Sequence, residues 1–422
     1  MHKIERLLQT LAPKGVEFKT LEEVFEIKNG YTPSKNNPEF WKNGTIPWFR
    51  MEDIRENGRI LKDSIQHITP KALKGKKLFP KNSIIISTTA TIGEHALLIV
   101  DSLANQRFTF LSKKANCDLA LDMKFFFYQC FLLGEWCKNN INVSGFASVD
   151  MTAFKKYKFP IPPLEIQQEI VTILDAFTEL NTELNTELKA RKKQYQYYQN
   201  MLLDFNDINQ SHKDAKMSAK PYPKRLKTLL QILAPKGVEF RKLGEVCDFQ
   251  KGKSITKKAV TFGKVPVISG GRQPAYYHNE ANRSGETIAI SSSGVYAGYV
   301  SYWDIPVFLA DSFSVSPKQK TLMPKYLFHY LTTQQDAIHA TKSAGGIPHV
   351  YSKDLQNFLI PIPPLKIQQE IVKILDQFSI LTTDLLAGIP AEIKARKKQY
   401  EYYREKLLAF KPLTPNKEVK KC

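Results

Sequence analysis

Three short runs in this 422-residue chain carry residue types able to bind or transform a nucleotide. Gly252-Lys253-Ser254 has the ending of a phosphate-cradling loop, in which backbone N–H groups and a lysine surround phosphate oxygens. The upstream glycine that such a loop needs is replaced by Cys247, so nucleotide binding there is rejected. Ile161-Pro162-Pro163-Leu164 and Ile362-Pro363-Pro364-Leu365 have the diproline of an amino-methylating loop. Isoleucine stands where the side-chain acceptor for a target amino group belongs, and no glycine-rich cofactor loop accompanies either run. The eight histidines are scattered, with no triad or nuclease carboxylate cluster in view. Cys117, Cys130, Cys137, Cys247 and Cys422 form no CxxC pair and have no histidine at zinc spacing. The expectation is a chain without catalytic residues, metal or cofactor of its own, in a reducing cytoplasm.

The remaining chemistry is that of binding. A formal charge of +20 and a pI near 9.5 favour a polyanionic partner, because each Lys or Arg set against a phosphate releases condensed counterions. Nucleic acid is the leading candidate. No apolar run reaches the roughly 18 residues of a membrane helix, and the start, MHKIERLLQTLAPKG, lacks the apolar core of a secretion signal. Side chains that reach base edges and phosphates are expected on loops at strand ends. In the first half these are Tyr31, Thr32, Ser34, Lys35, Arg50, Thr89 and Arg107; in the second they are Lys253, Ser254, Arg272, Tyr276, Tyr277, Ser292 and Tyr296. The competing reading makes Thr-Pro-Ser and the serine–glycine runs simple turns, Arg107 a surface ion-pair partner and the tyrosines core.

The elements that must position these residues come from an internal duplication. LLQTLAPKGVEF at 7–18 returns as LLQILAPKGVEF at 229–240, and IPPLEIQQEIVTILDAF at 161–177 returns as IPPLKIQQEIVKILDQF at 362–378. KARKKQYQYYQNMLLDF at 189–205 returns as KARKKQYEYYREKLLAF at 394–410. Between the repeats lie two diverged stretches that share a pattern of short strands followed by a helix. In the first, residues 83–88, 96–100 and 107–112 read as strands and 119–138 as a helix. In the second, TIAISS, AGYVSYW and PVFLA take the strand roles and 324–340 the helix. Two different readers on a duplicated frame are thereby predicted.

Each diproline suits a helix start, because the first turn leaves its N–H groups unpaired anyway, so helices are expected from Leu164 and Leu365. Ile170, Ile173, Phe177, Leu180, Leu184, Leu188, Tyr195, Tyr198 and Leu202 form an apolar seam for a partner helix. Ile371, Leu375, Phe378, Leu381, Leu385, Ile393, Tyr400, Tyr403 and Leu407 repeat it, with a break expected at Gly388-Ile389-Pro390. A helix of some 40 residues spans roughly 60 Å, on the scale of two turns of duplex DNA. The lysine–arginine clusters 189–193 and 394–398 are read as solvated faces before phosphate grips, and the tyrosines beside them as packing.

With these motifs on the page, the chain resembles the specificity subunits of Type I restriction-modification systems. The likeness rests on IPPLxxQxxIVxIL, KARKKQYxYY and the strand pattern. GYTPS at 30–34, Trp41, GTIPWFRMEDI at 44–54, TTATIG at 88–93 and Ala104-Asn105-Gln106 add to it. The second half departs, with VPVISGG at 265–271 and SSSGVYAG at 291–298. The resemblance implies an α+β chain of two mixed α/β target-recognition domains joined by two long antiparallel helices in a coiled coil, pseudo-twofold and quasi-circular. The expected parts are a short helical segment 1–17, domains 18–158 and 240–359, long helices 159–205 and 360–410, a linker with short helix 206–239, and a tail 411–422. It implies double-stranded DNA, two modification subunits and restriction subunits as partners, with S-adenosylmethionine, ATP and magnesium on those partners and no membrane. Thr178–Leu188, TELN-TELN-TEL, is similar to the tetrapeptide repeats of the family's central helix, where four residues change a helix by about 6 Å. The alternative is a coiled-coil DNA-binding scaffold without sequence specificity.

Overall fold

The computed structural model describes residues 2–75, 77–142, 147–206, 222–318, 320–343, 347–383 and 388–413. Two compact units emerge, one of residues 1–183 with 394–422 and one of residues 184–393.

Unit 1 opens with helix α1 (His2–Leu11) and strand β1 (Glu17–Thr20). Strands β2 (Phe25–Asn29), β3 (Ile46–Phe49), β4 (Ile60–Leu61), β5 (His67–Ile68), β6 (Ile84–Ser87), β7 (His95–Leu98), β8 (Leu103–Ala104) and β9 (Phe108–Lys113) follow. They form a five-stranded sheet in the order β2-β9-β6-β7-β4 and a three-stranded sheet in the order β5-β3-β8. Period-two side-chain alternation decides what each face of the larger sheet does. Ile84, Ile86, Leu97 and Leu111 enter a core beneath helix α2 (Met123–Asn139), while Ile85, Ala96, Leu98 and Phe110 enter a second core on the other face. Burial on both faces explains why these strands read as continuous apolar runs. Asp122 caps α2 by accepting from the N–H groups of Lys124 at 2.7 Å and Phe125 at 3.3 Å. Strand β10 (Lys158–Ile161) pairs antiparallel with β1 and leads into helix α3 (Leu164–Leu203).

Unit 2 takes the second part of α3, then helix α4 (Lys224–Leu233) and strand β11 (Phe240–Lys242). Strands β12 (Cys247–Lys251), β13 (Val265–Ile268), β14 (Tyr276–His278), β15 (Thr287–Ser291), β16 (Val300–Trp303), β17 (Phe308–Leu309) and β18 (Ser312–Pro317) come next. Their sheets run β12-β18-β15-β16 and β14-β13-β17. Apart from the short edge strand β4, both orders duplicate those of unit 1. Even the parallel β13–β17 pair answers the parallel β3–β8 pair. Helix α5 (Pro324–Thr333) covers the sheet, β19 (Leu359–Pro361) pairs with β11, and helix α6 (Leu365–Thr383) follows; helix α7 (Ile389–Leu408) belongs to unit 1 from residue 394 onward.

The repeated residues do the same structural work in each unit. Gln167, fully buried, accepts from the Asp122 N–H at 2.8 Å and donates to the carbonyls of Ala120 and Pro162 at 2.8 and 2.7 Å. Gln368, equally buried, accepts from the Met323 N–H at 2.9 Å and donates to the carbonyls of Thr321 and Pro363 at 2.8 and 2.7 Å. Asp175 meets Lys124 at 2.5 Å and the Tyr128 hydroxyl at 2.6 Å; Asp376 meets Lys325 at 2.7 Å and the His329 ring at 3.0 Å. Lys3–Glu169 and Arg225–Glu370 tie each short helix to the start of a long one. Phe177 stacks on Tyr403 in unit 1, and Phe378 stacks on Tyr198 in unit 2. In unit 1, Val16 bridges to Pro412, so residues near both ends of the described chain adjoin.

The helices begin at Leu164 and Leu365 as their prolines predict. In the second long stretch the helices Leu365–Thr383 and Ile389–Leu408 are described, with a bend at Gly388; residues 384–387, Leu385 of the predicted seam among them, lie outside the described residues. Lys189 to Lys193 are all exposed, and Arg191 pairs with Glu187 at 3.4 Å. Tyr195, Tyr198, Tyr400 and Tyr403 pack against the cores, while Tyr197 and Tyr402 stay more than half exposed.

Candidate nucleic-acid interface

In unit 1 the junction of the two sheets is built around the residues following β2. Gly30 donates to the Phe108 carbonyl at 2.9 Å and Tyr31 to the Ala104 carbonyl at 2.7 Å. A Cβ on Gly30 would stand 2.2 Å from the Asn105 carbonyl oxygen, so only glycine lets the chain pass. The Trp48 indole N–H donates to the Tyr31 carbonyl and that of Trp41 to the Ser34 carbonyl, both at 2.9 Å. The two indoles meet edge to face at 5.0 Å. GYTPS is therefore a loop pinned by two tryptophans.

Thr32, Lys35, Arg50 and Arg107 line one open groove of about 340 Å³, joined by Arg55, Thr91, Asn105 and Gln106. Four basic side chains in one groove favour a polyanion. The backbone of Arg50 is held by fully buried Asp53, which accepts from the N–H groups of Arg50 and Ile65 at 2.6 Å each. Its Nε is buried with no hydrogen-bond partner, and the Glu52 carboxylate lies 3.9 Å away. Arg107 is exposed and makes no ion pair with a described residue; its N–H donates to Asn105 Oδ1 at 3.0 Å. The Thr32 hydroxyl donates to Gln106 Oε1. Tyr31 lies elsewhere, half-buried against Trp41 and Trp48. Ser34 is exposed, and Thr89 is half-buried and bridges to Ser148 beside groove-lining Ala90.

Unit 2 repeats this backbone with other side chains. Gly252 donates to the Ser312 carbonyl at 2.8 Å and Lys253 to the Leu309 carbonyl at 2.9 Å, which leaves Lys253 and Ser254 exposed where Tyr31 and Thr32 stand in unit 1. A Gly252 Cβ would lie 2.5 Å from the Ala310 carbonyl oxygen. Among the described residues no tryptophan indole bonds the loop backbone here, and Asn282 instead braces the junction by exchanging two hydrogen bonds with the Leu309 backbone. The Arg272 guanidinium lies over Tyr296 at 4.9 Å and Tyr299 at 5.6 Å. Ser292 is held by backbone bonds to Asp311 and Val350. Tyr276 and Tyr277 are exposed on β14 rather than core, 36% and 54% accessible, and no described contact joins them to Arg272.

Sequence reasoning passed over Arg55 and Asp311. Arg55 follows a helix motif and reads as surface charge; Asp311 becomes visible only once β17 and β18 are superposed on β8 and β9. Among the described residues no three His, Cys, Asp or Glu side chains form a metal-binding group, and no helix is long and apolar enough to cross a membrane. Burial pushes the Cys137 and Cys247 thiols up to about 12, and that of Cys130 upward as well, which makes them inert core residues.

A duplicated mixed α/β frame with loop residues differing at equivalent positions defines a protein of two related units. Residues 13–194 and 235–395 each match the family described as the Type I restriction modification DNA specificity domain. The chain is 40% identical over 400 residues to the Type I restriction enzyme EcoprrI specificity subunit of Escherichia coli, covering 91% of this chain and 93% of that one. It is 32% identical over 292 residues to the EcoR124I/EcoR124II specificity subunit of the same organism, covering 62% and 65%. Among solved structures it is similar to the Type-I restriction-modification system S subunit from M. genitalium, with a TM-score of 0.56 at 19% identity over 93% and 95% of the two chains. The chain belongs to the family of Type I restriction-modification specificity subunits.

Proposed function

We propose that this chain is the non-catalytic, sequence-reading part of a Type I restriction-modification complex, and that it acts in the cytoplasm on a bipartite duplex site. Each unit reads one half-site through the junction of its two sheets. The observation that carries this is the repetition of one strand order, down to equivalent backbone hydrogen bonds, with different side chains at the loop positions. A frame kept constant while its contact residues change is what reading two different sequences with one geometry requires.

The long helices are read as an antiparallel coiled coil that fixes the gap between half-sites. Support comes from the Phe177–Tyr403 and Phe378–Tyr198 stacks, in which the repeats exchange roles. Two modification subunits would then dock about the pseudo-twofold, with restriction subunits beyond them. S-adenosylmethionine, ATP and magnesium belong to those partners in this reading. Co-expression with the cognate modification subunits, followed by mapping of methylated adenines across the host DNA, tests it. A split motif with a fixed gap, lost when this chain is omitted, is expected. Soluble partners that methylate without a motif would leave the chain a DNA-binding scaffold.

A further inference from the structure

The two junctions can be superposed bond by bond. Thr88 donates its N–H to the Arg107 carbonyl at 3.1 Å, and the Val149 N–H donates to the Thr88 carbonyl at 2.9 Å. In unit 2, Ser292 donates to the Asp311 carbonyl at 2.9 Å and Val350 to the Ser292 carbonyl at 3.0 Å. Both carbonyls belong to the residue immediately before the long strand, β9 or β18. Asp311 therefore occupies the place of Arg107, reached by a connection one residue shorter, since Asn105-Gln106-Arg107 is matched by Ala310-Asp311. Both side chains are exposed, and neither makes an ion pair with a described residue.

The exchange inverts hydrogen-bonding character. A guanidinium only donates and a carboxylate only accepts. In the major groove guanine offers two acceptors, N7 and O6, whereas cytosine and adenine each offer an exocyclic amino donor. A carboxylate facing DNA is repelled by phosphates, and in a chain of net charge +20 it weakens binding unless a donor on a base compensates. The Ser269 hydroxyl donates to Asp311 Oδ2 at 3.3 Å, which orients the carboxylate.

Resting on the reading that each unit contacts one half-site, we infer that this position sets base choice in both units. Arg107 takes a guanine in one half-site, and Asp311 takes the amino group of a cytosine or adenine in the other. The complex with modification subunits is assembled with the parent chain and with Arg107→Ala, Asp311→Ala and the isosteric Asp311→Asn. Methylation rates are compared on duplexes carrying each of the four bases at every specified position. Arg107→Ala is expected to lose about tenfold or more of the preference for guanine at one position, leaving the other half-site as it was. The Asp311 variants lose a comparable preference only in the opposite half-site, and whether the parent favours cytosine or adenine there identifies the donor. Uniform slowing with every base preference retained overturns the inference and makes both residues backbone contacts or bystanders. A parent complex with no split motif instead sinks the underlying reading.

Discussion

At the scale of single residues, the interface depends on positions where no side chain fits. Gly30→Val would drive a Cβ into two backbone carbonyls, of Asn105 and Ala104, at 2.2 and 2.3 Å. Such overpacking should cost at least about 2 kcal/mol, seen as a lower denaturation midpoint. Gly271→Ala, whose nearest new neighbour lies 3.4 Å away, should stay within about 0.5 kcal/mol of the parent. Charge pairing has its own signature in unit 2. Burial of Asp376 raises its carboxyl, but hydrogen bonds from His329 and Lys325 outweigh that and hold it below the usual carboxylate value. Because the folded-state value lies below the unfolded one near 4, the contribution is complete above about pH 4 and is lost as pH falls through the folded value. Asp376→Asn should therefore be less stable than the parent at pH 7, with the difference in urea midpoint vanishing at lower pH. A gap unchanged down to pH 2 would show that the carboxylate does not carry it.

Among the elements, the buried glutamines decide how each long helix is joined to its recognition unit. Gln167→Leu keeps the volume but strands the Asp122 N–H and the carbonyls of Ala120 and Pro162. A buried polar group left unpaired costs about 1–3 kcal/mol, so this variant should unfold at distinctly lower urea. Gln368→Leu should do the same in unit 2. The exposed Gln196→Leu serves as the neutral control, within about 0.5 kcal/mol. Equal stability of all three would mean that the diproline and the apolar seam alone fix the helix start.

For the whole molecule, the proposed role of helix length in setting the gap is tested through the tetrapeptide run. Residues 178–188 lie inside the uninterrupted α3, so deleting Thr182–Asn185 shortens a continuous helix by about 6 Å and preserves most of its facing. The methylated motif should keep both half-sites while its gap contracts by about one or two base pairs, as read by methylation mapping. An unchanged gap would dissociate helix length from site spacing.

The duplication, the helix starts at Leu164 and Leu365, strands β6, β7 and β9 of unit 1 and strands β15, β16 and β17 of unit 2 were legible in the sequence; β18, the longest strand of unit 2, was not. Repeats, prolines and apolar runs are local signals that survive without the fold. The pinned GYTPS loop was legible only as a motif, because its hold depends on Trp41 and Trp48, whose indoles reach back across the turn. Thr32, Lys35, Arg50 and Arg107 were named from their types, but only strand pairing brings them into one groove and turns Tyr31 inward. Asp311 was invisible for the same reason. Its correspondence to Arg107 is carried by backbone hydrogen bonds between strands distant in sequence, across a one-residue difference in loop length that no spacing rule reveals.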